Sequence, residues 1–320
     1  MSQPAWDVLV AGAGPAGSTT ARILARRGLR IALVDRLDRS TRRLEVVSPS
    51  LRPLLHGLGL LDLLDDPGIA RPCLGIQRRW GGATVQVEDF IAHPGGGGHV
   101  VDRARFDAAL RERAEAAGAT LIPLRVAGVS ASQGKVDVSL SDGSVIAAER
   151  LVDGTGRPAC IARRMGAHRI CIDRRTAALE EQLPDPSADA PGWLQVVGET
   201  DHWRYTVRGP GSLSETWSIS AAHRGGGSRV EDASSARLNH AAGENWIAIG
   251  DAAAAFDPVT SQGLANALST AAVAAGMILS GDDSGAYQMY SDAVKATHER
   301  SERARSEVYS ALQLASVSGH

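Results

Sequence analysis

The chain's 320 residues carry 34 Lys and Arg against 36 Asp and Glu, a formal net charge of −2 with no basic block, so nucleic acid is not an expected partner. Cys73, Cys160 and Cys171 form no CxxC pair and no even framework, which argues against a disulfide scaffold or a metal site and predicts core thiols. With no signal segment before the first strand and no stretch near the ~20 apolar residues of a membrane span, the reading is cytoplasmic, without a membrane partner.

In chain order, an apolar run from Val8 to Ala11 leads into Gly12-Ala13-Gly14-Pro15-Ala16-Gly17, a helical pattern, and a second apolar run from Ile31 to Val34 closed by Asp35. This is the form of a βαβ dinucleotide unit. Gly12 makes the tight turn, Gly14 lets a pyrophosphate approach the backbone and Gly17 lets helix and strand pack closely. Asp35 stands near the expected distance of about 20 residues, where it can accept a ribose hydroxyl. An Arg-rich loop, 36–43, follows, then short helices near 49–57 and 60–64. Residues 73–91 alternate enough to predict strands, and the His93–Gly98 run breaks the chain. Val101–Asp107 opens a helix that ends at Gly118. Leu121 to Val126 reads as another parallel strand, and 134–140 and 144–149 as a hairpin turning at Ser141-Asp142-Gly143. Residues 150–157 complete a strand and a tight turn.

Residues 159–240 lose the α/β alternation and read as a strand-rich second domain, with Gly225–Ser228 as a flexible linker. The chain returns to the first domain at Asn245. There a strand from Trp246 to Ile249 runs into Gly250-Asp251, and after Phe256-Asp257-Pro258 a helix begins near Ser261-Gln262-Gly263. Asp251 can hold a ribityl hydroxyl, and the helix N-terminus can face the pyrimidine edge of a flavin. The two glycine-bearing segments together therefore read as the two ends of one FAD. Residues 286–320 read as a charged helix on the surface.

The segments GAGPAG, VDRARFD at 101–107, VDGTGR at 152–157 and GDAAAAFDPVTSQG at 250–263 resemble those of the class A flavoprotein monooxygenases, in the branch of tryptophan-halogenase-like and geranylgeranyl-reductase-like proteins. The likeness implies an α/β fold: a glutathione-reductase-type FAD-binding Rossmann domain (1–72, 99–158, 243–285) interrupted by a mixed β-rich substrate domain (73–98, 159–242), as in p-hydroxybenzoate hydroxylase. It implies a cofactor set of Gly12, Gly14, Pro15, Ala16, Gly17, Asp35, Arg36, Arg103, Val126, Asp153, Gly250, Asp251, Pro258, Gly263 and Leu264. Within it Arg103 would touch the flavin side, Asp153 the adenosine end, and Pro258, Gln262 and Gly263 the reactive ring; no catalytic residue is assigned. A salt bridge at a helix start is the alternative for Arg103. His93, His202, Glu45, Gln195 and Tyr205 are further candidates for the pocket, although each also suits a structural role. Trp203 and Tyr205, two apart on a strand, share a face as an aromatic wall or as core.

The resemblance further implies hydroxylation of an electron-rich aromatic through a C4a-hydroperoxyflavin. The electrons would come from transient NAD(P)H or a separate reductase, since no second nucleotide fingerprint occurs. No lysine precedes Lys135 and no WxWxIP motif is present, so halogenation is disfavoured. The sub-branch is similar to flavoproteins that mature quinone-cofactor amino-acid oxidases, which makes a tryptophan within a partner peptide one candidate substrate beside small indoles, pyrroles and phenols. An isoprenoid double-bond reductase and a non-catalytic flavoprotein escort are the alternatives.

Overall fold

Strands β1 (Trp6–Ala11) and β2 (Ile31–Val34) form because their apolar runs are long enough to be covered on both faces. The computed structural model describes residues 6–37, 43–80, 84–132, 135–184, 191–199, 201–211, 213–221, 229–281 and 284–317. Helix α1 (Pro15–Ala25) joins β1 to β2, and its buried face reads Ala16, Gly17, Thr20, Ala21 and Leu24. The central sheet continues on one side to β7 (Thr120–Ile122), parallel to β2. On the other it runs through β10 (Val145–Asp153) and β19 (Trp246–Ala248), both parallel to β1, to a short antiparallel β18 (Ala242–Gly243). Antiparallel β8 (Val126–Ser132) and β9 (Lys135–Leu140) extend from β10.

Leu121 to Val126 is therefore not one parallel strand. It splits at residues 123–125, because β8 turns away to pair with β9 from Val126 onward.

A second, nine-stranded sheet roofs the first domain. Its order is β16 (Arg229–Asp232), β12 (Thr176–Pro184), β15 (Leu213–Ser220), β14 (His202–Gly209), β13 (Gly192–Gly198), β4 (Ala70–Trp80), β6 (Gly98–Asp102) and β3 (Leu44–Val47), with β5 (Gln86–Asp89) on the far part of β4. A small third sheet of β11 (Arg169–Asp173), β17 (Ser235–Leu238) and β20 (Ala254–Ala255) links the two. The expected boundaries at 72/73, 98/99 and 158/159 are corrected by this pairing. Strands β3 and β6 lie in the roof, because Leu44–Val47 pairs with His99–Asp102 and residues 70–73 pair with 98–101. Conversely, α4 (Cys160–Arg164) buries Ile161 and Ala162 in the core of the nucleotide domain.

The remaining helices are α2 (Arg52–Gly57), α3 (Arg103–Ala116), α5 (Gly263–Ser280) and α6 (Ser284–Val317). Helix α3 starts at Asp102, whose carboxylate accepts the Ala104 and Arg105 N–H groups. Two expectations fail on the last two helices. Helix α5 is long and apolar enough by composition to cross a membrane (mean hydropathy 1.5), yet it packs in the interior through Leu264, Ala267, Leu268, Ala271, Ala274 and Ala275. Helix α6 is no merely solvated helix: Tyr290, Ser291, Val294, His298 and Ser301 are buried. These positions recur every three or four residues, one stripe of a long helix. Among the thiols only Cys73 is buried; Cys171 is exposed, since its strand β11 has a solvent-facing side. The Gly225–Ser228 linker lies outside the described residues.

Candidate active site

The first glycines hold three backbones together. Gly12 has φ +97°, and a Cβ on it would stand 2.2 Å from the Gly154 oxygen. A Cβ on Gly17 would stand 1.8 Å from the Gly12 oxygen, so helix and turn meet there without side chains. Gly14 differs: a Cβ there would meet nothing within 4 Å. Packing does not require that glycine, whereas a phosphate brought against the backbone would. Helix α1 begins beside it with Pro15 at its first position and no side-chain cap, leaving its N-terminal dipole for an anion. The Asp35 carboxylate accepts the Ala13 N–H at 2.7 Å and the Leu37 N–H at 2.9 Å, which places it beside the turn, half-buried, at the expected ribose end. Arg36 is exposed next to it, and Val126 packs against the edge of the core beyond β7.

Asp153 corrects an expectation. Its carboxylate is 0% exposed and takes four hydrogen bonds, from Thr155 N and Oγ1, Ile161 N and Ala162 N, at 2.6–2.9 Å. No face remains for an adenosine contact. It shapes the 153–157 turn that lies on the Gly12 turn, with Gly154 N–H donating to Ala11 O at 2.7 Å. Asp251, by contrast, has a third of its side chain exposed and pairs with Arg157 Nε at 3.4 Å. Arg157 was not anticipated. Its other nitrogens donate to Ser234 O and Phe256 O, so it fixes the chain on either side of Asp251. Gly250 (φ +56°) lets α1 and α5 approach, since a Cβ there would lie 3.0 Å from Ala16 Cβ and 3.6 Å from Ala267 Cα.

At the other end, Asp257 caps a single turn of helix, Pro258–Thr260, by accepting the Val259 N–H at 3.0 Å. Ser261 (φ +49°) then reverses the chain, and Gln262 starts α5 without a side-chain cap. The carboxylate at this helix start comes from strand β3. Glu45 faces the Leu264 N–H, and its Oε1 lies 3.8 Å from a Cβ built on Gly263. Its Oε2 takes Arg103 Nη1 at 2.5 Å, with Arg43 Nη2 at 3.7 Å. Burial alone would push Glu45 up, but Arg103 and Arg43 outweigh it and hold the carboxyl below the usual range. Arg103 also pairs with Asp107 at 2.9 Å. The structure thus gives Arg103 the salt-bridge role, held between Asp107 and the Glu45 carboxylate that faces the start of α5.

Over this corner lies the inner face of the roof. Trp203, Tyr205 and Val207 on β14 stand opposite Ile219, Trp217 and Glu215 on β15, and Trp203 and Tyr205 ring centroids are 5.8 Å apart. Trp203 Nε1 donates to the Tyr309 hydroxyl at 2.9 Å, and that hydroxyl donates to Asp257 Oδ2 at 3.0 Å. Arg175 stands 4.0 Å from the centroid of the Tyr309 ring and 3.3 Å from Asp257. Asp257 is 1% exposed, and burial pushes its carboxyl up.

Three pocket candidates are not brought here. Gln195 pairs with Thr206, in the opposite phase to Tyr205, and is exposed on the outer face. His93 is exposed and accepts the Gly95 N–H within its own turn. His202 sits between Asp201 and Glu199 at the strand end. Arg175 and Tyr309 are not among the residues singled out in the sequence, and Asp257 is read there only as part of the segment before α5. For Tyr309 the signal existed: Tyr290, Val294, His298, Ser301, Arg305 and Tyr309 follow one helical stripe.

Residues 5–150 match the FAD binding domain family. The chain is an FAD-dependent oxidoreductase with the fold of the class A flavoprotein monooxygenases, and the open Gly14 cradle fits that cofactor. Among curated proteins it is 27% identical over 322 residues to the menaquinone reductase of Mycobacterium tuberculosis, across 86% of this chain and 77% of that one. Among solved structures it is similar to the peptidyl tryptophan dihydroxylase QhpG, with a TM-score of 0.76 and 24% identity across 98% of this chain and 76% of that one. A flavin-dependent halogenase from Xanthomonas campestris superposes with a TM-score of 0.81 at 15% identity, across 92% and 75%.

Proposed function

We propose that the chain is a monooxygenase that hydroxylates an electron-rich aromatic ring, with tryptophan in a partner peptide as the favoured substrate. The observation that carries this reading is the aromatic wall of Trp203, Tyr205 and Tyr309 above the Pro258–Gly263 corner. Bound FAD supplies the electrons and the means of activating dioxygen. The protein's part is to orient and to exclude water. Gly12, Gly14, Pro15, Ala16 and Gly17 cradle the pyrophosphate, Asp35 and Asp251 take sugar and ribityl hydroxyls, and Pro258, Gln262 and Gly263 border the ring. The buried roof face stacks the aromatic substrate and keeps the corner dry, which favours oxygen transfer over loss of peroxide. Electrons arrive from transient NAD(P)H or a separate reductase. The likeness to a peptidyl tryptophan dihydroxylase supports a peptide-borne ring, whose remote contacts would help position it.

The test supplies reduced holoprotein with isotope-labelled dioxygen and compares free tryptophan, small phenols and a tryptophan-containing peptide by mass spectrometry. Label in the peptide above that in the free amino acid is expected. Label only in small aromatics would remove the peptide reading and keep the monooxygenase. A reductase is the second reading, favoured by the menaquinone reductase likeness. Against it, the Arg43–Glu45 and Arg175–Asp257 pairs stand near the roof's aromatics where the roof meets the first domain, rather than a long apolar tunnel. Reduction of an isoprenoid double bond without label in any aromatic would establish it.

A further inference from the structure

Helix α6 runs across both domains, and two of its tyrosines, Tyr290 and Tyr309, end on different things. Tyr290 donates to the Ala248 carbonyl at 2.7 Å, beneath the central sheet. Tyr309, five turns on, reaches a junction: its hydroxyl takes the Trp203 Nε1–H from the roof and gives its own proton to Asp257 Oδ2. Asp257 is the residue before Pro258, and its other oxygen holds the Val259 N–H that forms the turn. Its backbone oxygen accepts both the Thr260 N–H and the Thr260 hydroxyl. One carboxylate therefore carries the turn on one oxygen and the last helix on the other.

Neither Arg175, 3.3 Å away, nor Arg305, 4.0 Å away, can replace that hydroxyl. Both are engaged by Asp173, at 2.8 and 2.6 Å, and both lie over the Tyr309 ring. Without the hydroxyl, a carboxylate 1% exposed loses one of its two direct hydrogen bonds, and the Trp203 N–H is stranded. The least costly response is rotation of Asp257, which carries Pro258–Ser261 and the start of α5 with it.

We propose that Tyr309 is a positioning residue for the flavin-facing turn, so that α6, distant in sequence, sets the conformation of the corner that borders the FAD ring. The inference uses the FAD site but not the identity of the substrate. Its readout is therefore the bound flavin's own spectrum rather than any product.

The experiment compares Tyr309→Phe with Tyr290→Phe as FAD-loaded proteins, following visible circular dichroism of the flavin, FAD affinity and thermal unfolding. Both variants lose one hydroxyl from the same helix and both should melt earlier. Only Tyr309→Phe should alter the flavin dichroism and weaken FAD, by roughly tenfold, the scale of one lost hydrogen bond to a charged group. If Tyr309→Phe does not fold, Asp257→Asn keeps an acceptor for Val259 and serves the same comparison. Wild-type flavin dichroism and affinity in the folded variant, or an equal change in Tyr290→Phe, would overturn the proposal.

Discussion

Single glycines in the nucleotide turn have separable tasks. Gly17→Ala forces a Cβ into the Gly12 carbonyl oxygen, where no side chain can yield, and should cost about 3 kcal/mol of folding stability. Gly14→Val places its branches in open space, so the melting temperature of the apoprotein should hardly change while FAD binding is abolished. Thermal unfolding without FAD, beside an FAD titration by fluorescence, distinguishes the two; retained flavin in Gly14→Val would refute the cradle. Glu45 makes a different claim, about charge. Its carboxyl is held below the ordinary value of 4.5, so the fold gains from its ionised form. That gain is complete above about 4.5 and is lost as pH falls through the depressed value. Glu45→Gln leaves Arg103 and Arg43 without their shared partner and should cost about 3 kcal/mol near neutrality. In denaturant titrations the gap from wild type should stay constant from pH 7 to about 5 and close below.

At the scale of elements, the regular pieces could be read and the joints could not. Strands β1 and β2 with helices α1, α3 and α5 follow from apolar periodicity and glycine spacing, and each lies within a few residues of its expected bounds. The site divides in the same way. Gly12, Gly14, Gly17, Asp35, Asp251 and the Pro258–Gly263 turn are local motifs. Asp153 was misplaced because an acid at a strand end has the same sequence form whether it binds a ligand or caps α4. The Glu45 contact with α5 and the Tyr309 contact with Asp257 join residues far apart in sequence, and no local pattern encodes such a pairing. Helix α6 adds a pH dependence of its own. His298, 1% exposed, shares the Ser235 hydroxyl at 3.0 Å, and burial holds its pKa below 6.5. The fold therefore prefers neutral imidazole, and stability is lost as pH falls from 6.5 toward the lower folded value. Hydrogen-exchange protection factors of α6 should fall over that window in the wild type and stay level in His298→Asn.

At the scale of the whole molecule, the roof and the nucleotide domain are laced together: β3 and β6 leave the first domain to pair in the second, and α6 returns to touch both. Boundaries drawn from composition missed this because a strand's sequence declares its period but not its partner. The order of the central sheet has a further consequence, for the chain as it is made. Strand β1 lies between β2 and β10, and β10 acquires its other parallel neighbour only at Trp246–Ala248. During synthesis the N-terminal βαβ unit waits for partners more than a hundred residues away, with the apolar edge of β1 open, and the last slot closes only after the entire roof has emerged. Until Trp246–Ala248 and the Asp251 turn follow the roof out of the ribosome, that edge stays open to aggregation, and FAD can stabilise the fold only from that point on.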